Sequence, residues 1–302
     1  MAESLSITGL SWADGSPRIR VRRNGAPSEL EPLVGFRINY QSSPGSSRTC
    51  IGHRPFRSAT TPWIDCDNTP LHDGRTCDRC AASDATFASQ LHHAHNKAAG
   101  ELDPAVLTHL QQPNNLYLAA FRDGSIKVGT STAPRLQTRL DEQGAWFARV
   151  VAAATDGFAV RSIEDQVTVR VGLPQSVSIH RKLDGLEHPR PDEVLLAELD
   201  LWTGRVHELI EGSGDARLSP AADDWRFSQA DDPMFNGLHR YPLKLASGAH
   251  DLEFLGASGR AIVLARPGRP DRFVTDLRKL YGIDLATGDH VPDELAVQDS
   301  LF

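Results

Sequence analysis

The sequence predicts a multi-domain α+β protein, and three observations carry that reading. The chain has 302 residues, enough for two or three domains at roughly 100–200 residues each. Its apolar content of 40% is ordinary for a globular protein with real cores. Its apolar runs are short, some alternating as strands do and some spaced three and four apart as helices do. Charge is unevenly spread around a net of −7: residues 1–60 carry eight Arg against four acids, and residues 191–235 carry eleven acids against three Arg.

Four regions follow in order. Residues 1–49 form a strand-rich N-terminal region, in which Arg18, Ile19, Arg20, Val21 and Arg22 alternate charged and apolar as a half-exposed strand does. Residues 50–110 form a loop-rich module holding all four cysteines, with a helix expected near Asp84–Lys97. Residues 111–190 form a mixed α/β core. Residues 191–302 open acidic and become mainly β, with short runs such as Ala261 to Leu264 punctuated by Gly and Pro.

Within the core, two apolar runs, Leu116–Phe121 and Ile126–Gly129, flank Asp123-Gly124, a strong hairpin signal. A three-residue turn over Asp123–Ser125 puts Leu116, Leu118, Ala120, Ile126 and Val128 on a dry face. Tyr117, Ala119, Phe121, Lys127 and Gly129 then share the outer one. Pro134 opens a helix on which Leu136 and Leu140 make an apolar stripe and Arg135 and Arg139 a basic one. A second helix starts near Gly157, with Val160, Ile163 and Val167 facing inward and Glu164 at the edge of that face.

The cysteines follow the pattern Cys50-x15-Cys66-x10-Cys77-x2-Cys80. Four thiolates on loops suit a closed, structural Zn²⁺ site better than disulfides in a reducing compartment. The Cys77–Cys80 pair is a good half-site, whereas the Cys50 and Cys66 spacing is less specific, and free buried thiols are the alternative. His53, His92, His93 and His95 lie in the same region; one of them replaces a cysteine or joins a second site, or all belong to an exposed histidine-rich helix.

Tyr117, then Lys127, Val128 and Gly129, then an Arg-bearing helix, then Glu164 on the following helix, resembles the motif order of the GIY-YIG nuclease-like superfamily. More specifically, Lys127–Ser131 and Arg139–Ala145 downstream of Cys50–Gly52 and Cys77–Cys80 look like an uncharacterised bacterial family that joins a cysteine zinc module to a GIY-YIG-like core. The likeness extends through Gly256–Leu264 and Leu277–Lys279. It implies a nuclease-type site: Tyr117 as the first-motif tyrosine that helps deprotonate water, Gly129 as the second-motif glycine, Arg139 or Arg135 as the helical arginine, and Glu164 as ligand to a catalytic Mg²⁺ or Mn²⁺. Lys127 stands where the second motif has tyrosine. An ammonium there is expected to lower the Tyr117 pKa.

The resulting expectation is metal-dependent hydrolysis of phosphodiester bonds in DNA or RNA. The alternatives are a non-catalytic nucleic-acid binding protein and a small-molecule enzyme reusing the pocket. No phosphate-cradling P-loop, nucleophile elbow or H-E-x-x-H motif occurs in the sequence. No stretch approaches the ~20 apolar residues of a membrane span, and the start lacks a signal-peptide core, so a cytoplasmic protein is expected. The acidic 191–235 segment offers a surface for a protein partner.

Overall fold

The structure, a computed structural model, describes residues 3–43, 46–54, 62–67, 69–83, 94–97 and 99–295. Four strands open the chain: β1 (Glu3–Ala13), β2 (Ser16–Arg23), β3 (Glu29–Pro32) and β4 (Arg37–Ser42). Asp14-Gly15 closes the β1–β2 hairpin, and β2 buries Ile19 and Val21 beside the more exposed Arg18 and Arg20 as the alternation predicts, whereas Arg22 is buried and pairs with Asp65 at 3.4 Å. Among its described residues the cysteine region adds β5 (Arg48–Thr49), β6 (Pro70–Leu71) and a helix over 78–83.

Next come α1 (Pro104–Leu110), β7 (Asn114–Ala120), β8 (Ile126–Thr132), α2 (Leu136–Gln143), β9 (Phe147–Ala154) and α3 (Gly157–Gln166), which runs into a π-helical turn at Val167–Val171. Two more helices, α4 (Ile179–Glu187) and α5 (Asp192–Ser213), precede β10 (Leu218–Arg226). The chain ends with β11 (His239–Arg240), β12 (Gly248–Ser258), β13 (Ala261–Ala265), β14 (Arg272–Asp276) and β15 (Leu285–Thr287).

Two main sheets result, so the fold is mixed α/β. One has nine strands in the order β11-β14-β13-β12-β4-β15-β1-β2-β3, antiparallel except for β11 with β14. Strands from both ends of the chain interleave in it, across the boundaries drawn from composition. The other has four strands in the order β10-β9-β7-β8. The acidic C-terminal stretch differs from its expected β character. Asp192–Ser213 is a 22-residue helix, because Leu195, Leu199, Val206 and Ile210 recur at helical spacing and bury one face. Its acids and those that follow are largely engaged locally: Arg149 pairs with Asp200 and Asp224, Arg226 with Asp231, and Arg190 with Glu198.

The sheets share one core. Trp146, just before β9, packs on Phe227 and Phe235 with ring centroids 5.5 Å apart in both cases, and Phe227 meets Trp12 of β1 at 6.3 Å. Edge-to-face and tilted contacts of this kind add ~0.5–1.5 kcal/mol each beyond area burial. Arg122 caps the cluster, its guanidinium 4.3 Å from the Trp146 ring centroid.

The β7–β8 register pairs Tyr117 with Gly129, Leu118 with Val128 and Ala119 with Lys127. The two faces therefore carry the residues expected. The turn is shifted by one residue: Phe121 and Ser125 close it through a 2.9 Å bond, and Gly124 takes the left-handed position at φ +88°. Parity is unchanged by that shift, so no side chain changes face. The outer face is drier than expected. Tyr117, Ala119 and Phe121 form a second small core with Leu140 of α2, Ala145 and Ala148.

The expected helix at Asp84–Lys97 lies mostly outside the described residues, as do His92 and His93. Its described end is a single 3₁₀ turn, Ala94–Asn96. His95 is half-buried there, 2.9 Å from Asp165 of α3, so this one histidine is not on an open surface. Among the described residues no helix is long and apolar enough to cross a membrane.

Candidate functional site

α2 packs Leu136 and Leu140 on the outer face of β7 and β8, α3 packs Val160 and Ile163 with the dry face, and a cavity of about 520 Å³ opens beside β8, lined by polar residues of both helices. Lys127, Gly129, Arg135, Arg139 and Glu164 all line it. Each arrives by a simple route. Lys127 and Gly129 alternate on β8, Arg135 and Arg139 lie four apart on the 3₁₀ turn and helix that Pro134 opens, and Glu164 sits on α3 one position beyond the core residue Ile163.

Tyr117 lies beneath the cavity, with no exposed surface. Gly129 is its lid: a Cβ there would sit 2.6 Å from the tyrosine Cζ and hydroxyl oxygen. The hydroxyl donates to Gln143 Oε1 at 3.3 Å. Burial raises the Tyr117 pKa, and Arg139 and Gln143 pull it back only in part. The expected lowering by Lys127 is therefore overturned, because desolvation outweighs the nearby charges.

Lys127 is 5% exposed and donates to the Gln175 carbonyl at 3.1 Å, with its ammonium 5.6 Å from the Tyr117 ring centroid. Burial, then Arg139 and Lys182, lower its pKa to about 7, against the opposing pull of Glu164. Glu164 is 8% exposed, and burial raises its pKa although Arg161, Lys127 and Arg139 favour the carboxylate. Arg135 pairs with Glu142 at 3.1 Å. Four cations against one carboxylate leave the lining positive.

Sequence reasoning missed Arg161, His109, Ser131 and Gln175, which line the same cavity. Arg161 carried a usable signal, since it lies three residues before Glu164 and so shares its helix face. His109 and Gln175 carried none, because α1 and the 172–178 loop reach the cavity only through tertiary packing. Gln175 also donates to Asp165 at 2.8 Å, and that contact fixes the loop whose carbonyl holds Lys127.

The cysteine module forms a second candidate site. Pairing of β5 with β6 and the bond from Cys50 N to Thr69 O at 2.8 Å bring distant loops together. The sulfurs of Cys50, Cys66, Cys77 and Cys80 lie within 4.8 Å of one another, a cluster able to hold a metal ion. A tetrahedron with Zn–S arms of ~2.3 Å has edges of about 3.8 Å, and Cys66 and Cys77 stand 3.8 Å apart. The amides of Cys77 and Gly52 donate to Cys50 Sγ at 3.2 and 3.5 Å. Among the described residues no histidine joins this cluster and no second group of three or more such ligands occurs.

No protein-family model matches the chain, and neither a curated protein nor a solved structure matches it.

Proposed function

We propose that the protein hydrolyses phosphodiester bonds of nucleic acid in the β7–β8 cavity, on a GIY-YIG-like core steadied by a structural Zn²⁺ at the four cysteines. One observation carries the reading: Lys127, Arg135, Arg139, Arg161 and Glu164, drawn from four separate elements, converge on one positive cavity above Tyr117 and Gly129. Hydrolysis of a phosphodiester builds negative charge on phosphate oxygens, and guanidinium groups fixed in a partly dry site stabilise that charge more than they stabilise the ground state.

Among the described residues Glu164 is the one carboxylate in the lining, and it stands among cations. That donor set fits Mg²⁺ or Mn²⁺ only when substrate phosphate oxygens and water complete the shell, as Mg²⁺ commonly requires. Bound in that way, the ion supplies Lewis-acid stabilisation of the phosphate. Tyr117 then positions the site and is not its base, because it is sealed and its proton is held more tightly than usual. Lys127 is the group with a proton affinity near neutrality facing the cavity, suited to moving the proton of the attacking water.

The sealing of Tyr117 also favours a second reading, recognition of nucleic acid without cleavage. Cleavage assays with Mg²⁺ or Mn²⁺ on single-stranded, duplex and branched DNA and on structured RNA separate the two. Loss of cleavage in Glu164→Gln, with affinity kept or increased, supports hydrolysis. Binding by a wild-type protein that cuts none of these substrates selects the second reading, and a wild type that neither binds nor cuts them removes both.

A further inference from the structure

The cavity is one end of a longer run of cations. At the C-terminal end of α2, Lys182 of α4 donates to Gln143 O at 2.7 Å and lies 4.6 Å from the Phe121 ring centroid. The next residue, Gly144, abuts the β12–β13 turn: Ser258 Oγ donates to Gly144 O at 3.4 Å, and a Cβ on Gly144 would meet the Ser258 backbone at 2.8 Å. Arg260 leaves that turn and pairs with Asp276 at 3.3 Å, while its carbonyl accepts from Leu277 N at 3.1 Å. Arg278 and Lys279 follow directly. The cysteine module closes on them: Arg75 Nε donates to Arg278 O at 3.2 Å, and Arg48 donates to the carbonyls of Lys279, at 3.0 Å, and Tyr281.

Backbone contacts thus carry a continuous path from α2, over the β12–β13 turn, to the cysteine module, and a partly exposed cation stands at each step. These charges sense one another. After burial, Arg260 and Arg139 are what depress Lys182. Asp276, the acid beside this run, is 14% exposed and already engaged by Arg260. A run of cations along one path, on a protein of net charge −7, is a surface suited to a polyanion.

We infer that Lys182, Arg260, Arg75, Arg278, Lys279 and Arg48 form a track that binds the phosphate backbone of a nucleic-acid strand leading into the cavity. This rests on the nucleic-acid reading of the cavity and adds to it that the substrate is longer than the cavity holds. It also gives the cysteine module a task, since the loops around Cys50 and Cys77 carry Arg48 and Arg75 to the track.

The test compares 4-nucleotide and 20-nucleotide single strands on full-length protein at several salt concentrations. Wild type is expected to bind the longer strand at least tenfold more tightly. Arg278→Glu with Lys279→Glu alters side chains whose backbones, not their charged ends, make the contacts above, so the fold should persist. Arg278→Ala with Lys279→Ala is the milder second pair. The charge reversal is expected to weaken the long strand tenfold or more and lower its salt slope by ~1.4, about 0.7 per lost contact, with the short strand within twofold of wild type.

If the long strand is bound equally well by the reversed protein while Arg139→Ala weakens both lengths, the track is overturned and the cavity reading stands. If neither length binds wild type, both fall. If charge reversal matters and Arg139→Ala does not, the track is supported and the cavity reading fails.

Discussion

β7, β8 and β9 pair with one another across short stretches of chain, joined by a three-residue turn and one helix, whereas the nine-stranded sheet seats β4 between β12 and β15, more than 200 residues away. Closing a long loop costs more entropy, though only as the logarithm of its length. Turn chemistry specifies the first kind of contact, and only the summed burial of the finished core specifies the second. The cavity is made by the local region. The proposed track is made by the long-range one, with the cysteine cluster as its clamp.

The largest expected effect comes from breaking that clamp. Elemental analysis should find one zinc per chain, and a strong chelator or Cys77→Ser should lower the melting temperature steeply, because a closed metal site supplies folding energy to a segment poor in apolar residues. The module is tied to the long-range sheet through Thr49 N to Gly282 O at 2.8 Å. Short-strand affinity should therefore survive chelation while long-strand affinity falls. A protein free of metal, or one melting at the same temperature after chelation, would overturn the zinc assignment.

A smaller effect tests the local region. Gly129→Ala pushes a methyl group into Tyr117, where a Cβ has 2.6 Å. Overpacking of this kind costs ~1–3 kcal/mol, and displacing the ring should also weaken binding in the cavity. Urea denaturation measures the first and titration the second. Unchanged stability would mean that Tyr117 has room to move and is no fixed floor. Of similar size, Arg135→Ala with Arg139→Ala should lower the salt slope of binding by ~1.4–1.8, as two phosphate contacts require. An unaltered slope would put the contact surface elsewhere.

The same contrast explains what the sequence made legible. Asp123-Gly124 between two apolar runs was enough to sort ten side chains onto two faces, because parity survives a one-residue error in the turn. Arg135, Arg139 and Glu164 could be placed from helical spacing and the residues flanking them. Neither the pairing of β4 with β12 and β15 nor the approach of Arg75 to Arg278 has a local signal. The helix at Asp192–Ser213 is hard to read for another reason: its apolar residues recur at helical spacing, but the acids interspersed among them dilute that signal. The Tyr117 pKa was misjudged because a neighbouring charge is visible in sequence and complete burial is not.

Lys127 offers the finest test, since it alone combines a strand position set by the local turn with charges arriving from α2 and α4. In the unfolded chain its amine holds a proton up to 10.5, whereas in the fold it does so only up to about 7. Between these values the unfolded state binds more protons, so stability should rise with pH through this window. The penalty for burying the ammonium is complete below pH 7 and vanishes toward pH 10.5. Lys127→Met removes the charge and keeps most of the volume, so its stability relative to wild type should be greatest at pH 6 and shrink as pH rises, as read from urea midpoints at pH 6, 7.5 and 9. Binding should move the other way: wild type loses a cation from the cavity above pH 7 and should hold a short strand less tightly at pH 9 than at pH 6, and Lys127→Met should flatten that difference. An equal stability offset at all three pH values would show that Lys127 keeps its proton in the fold, and the proton-moving role proposed for it would then have no basis.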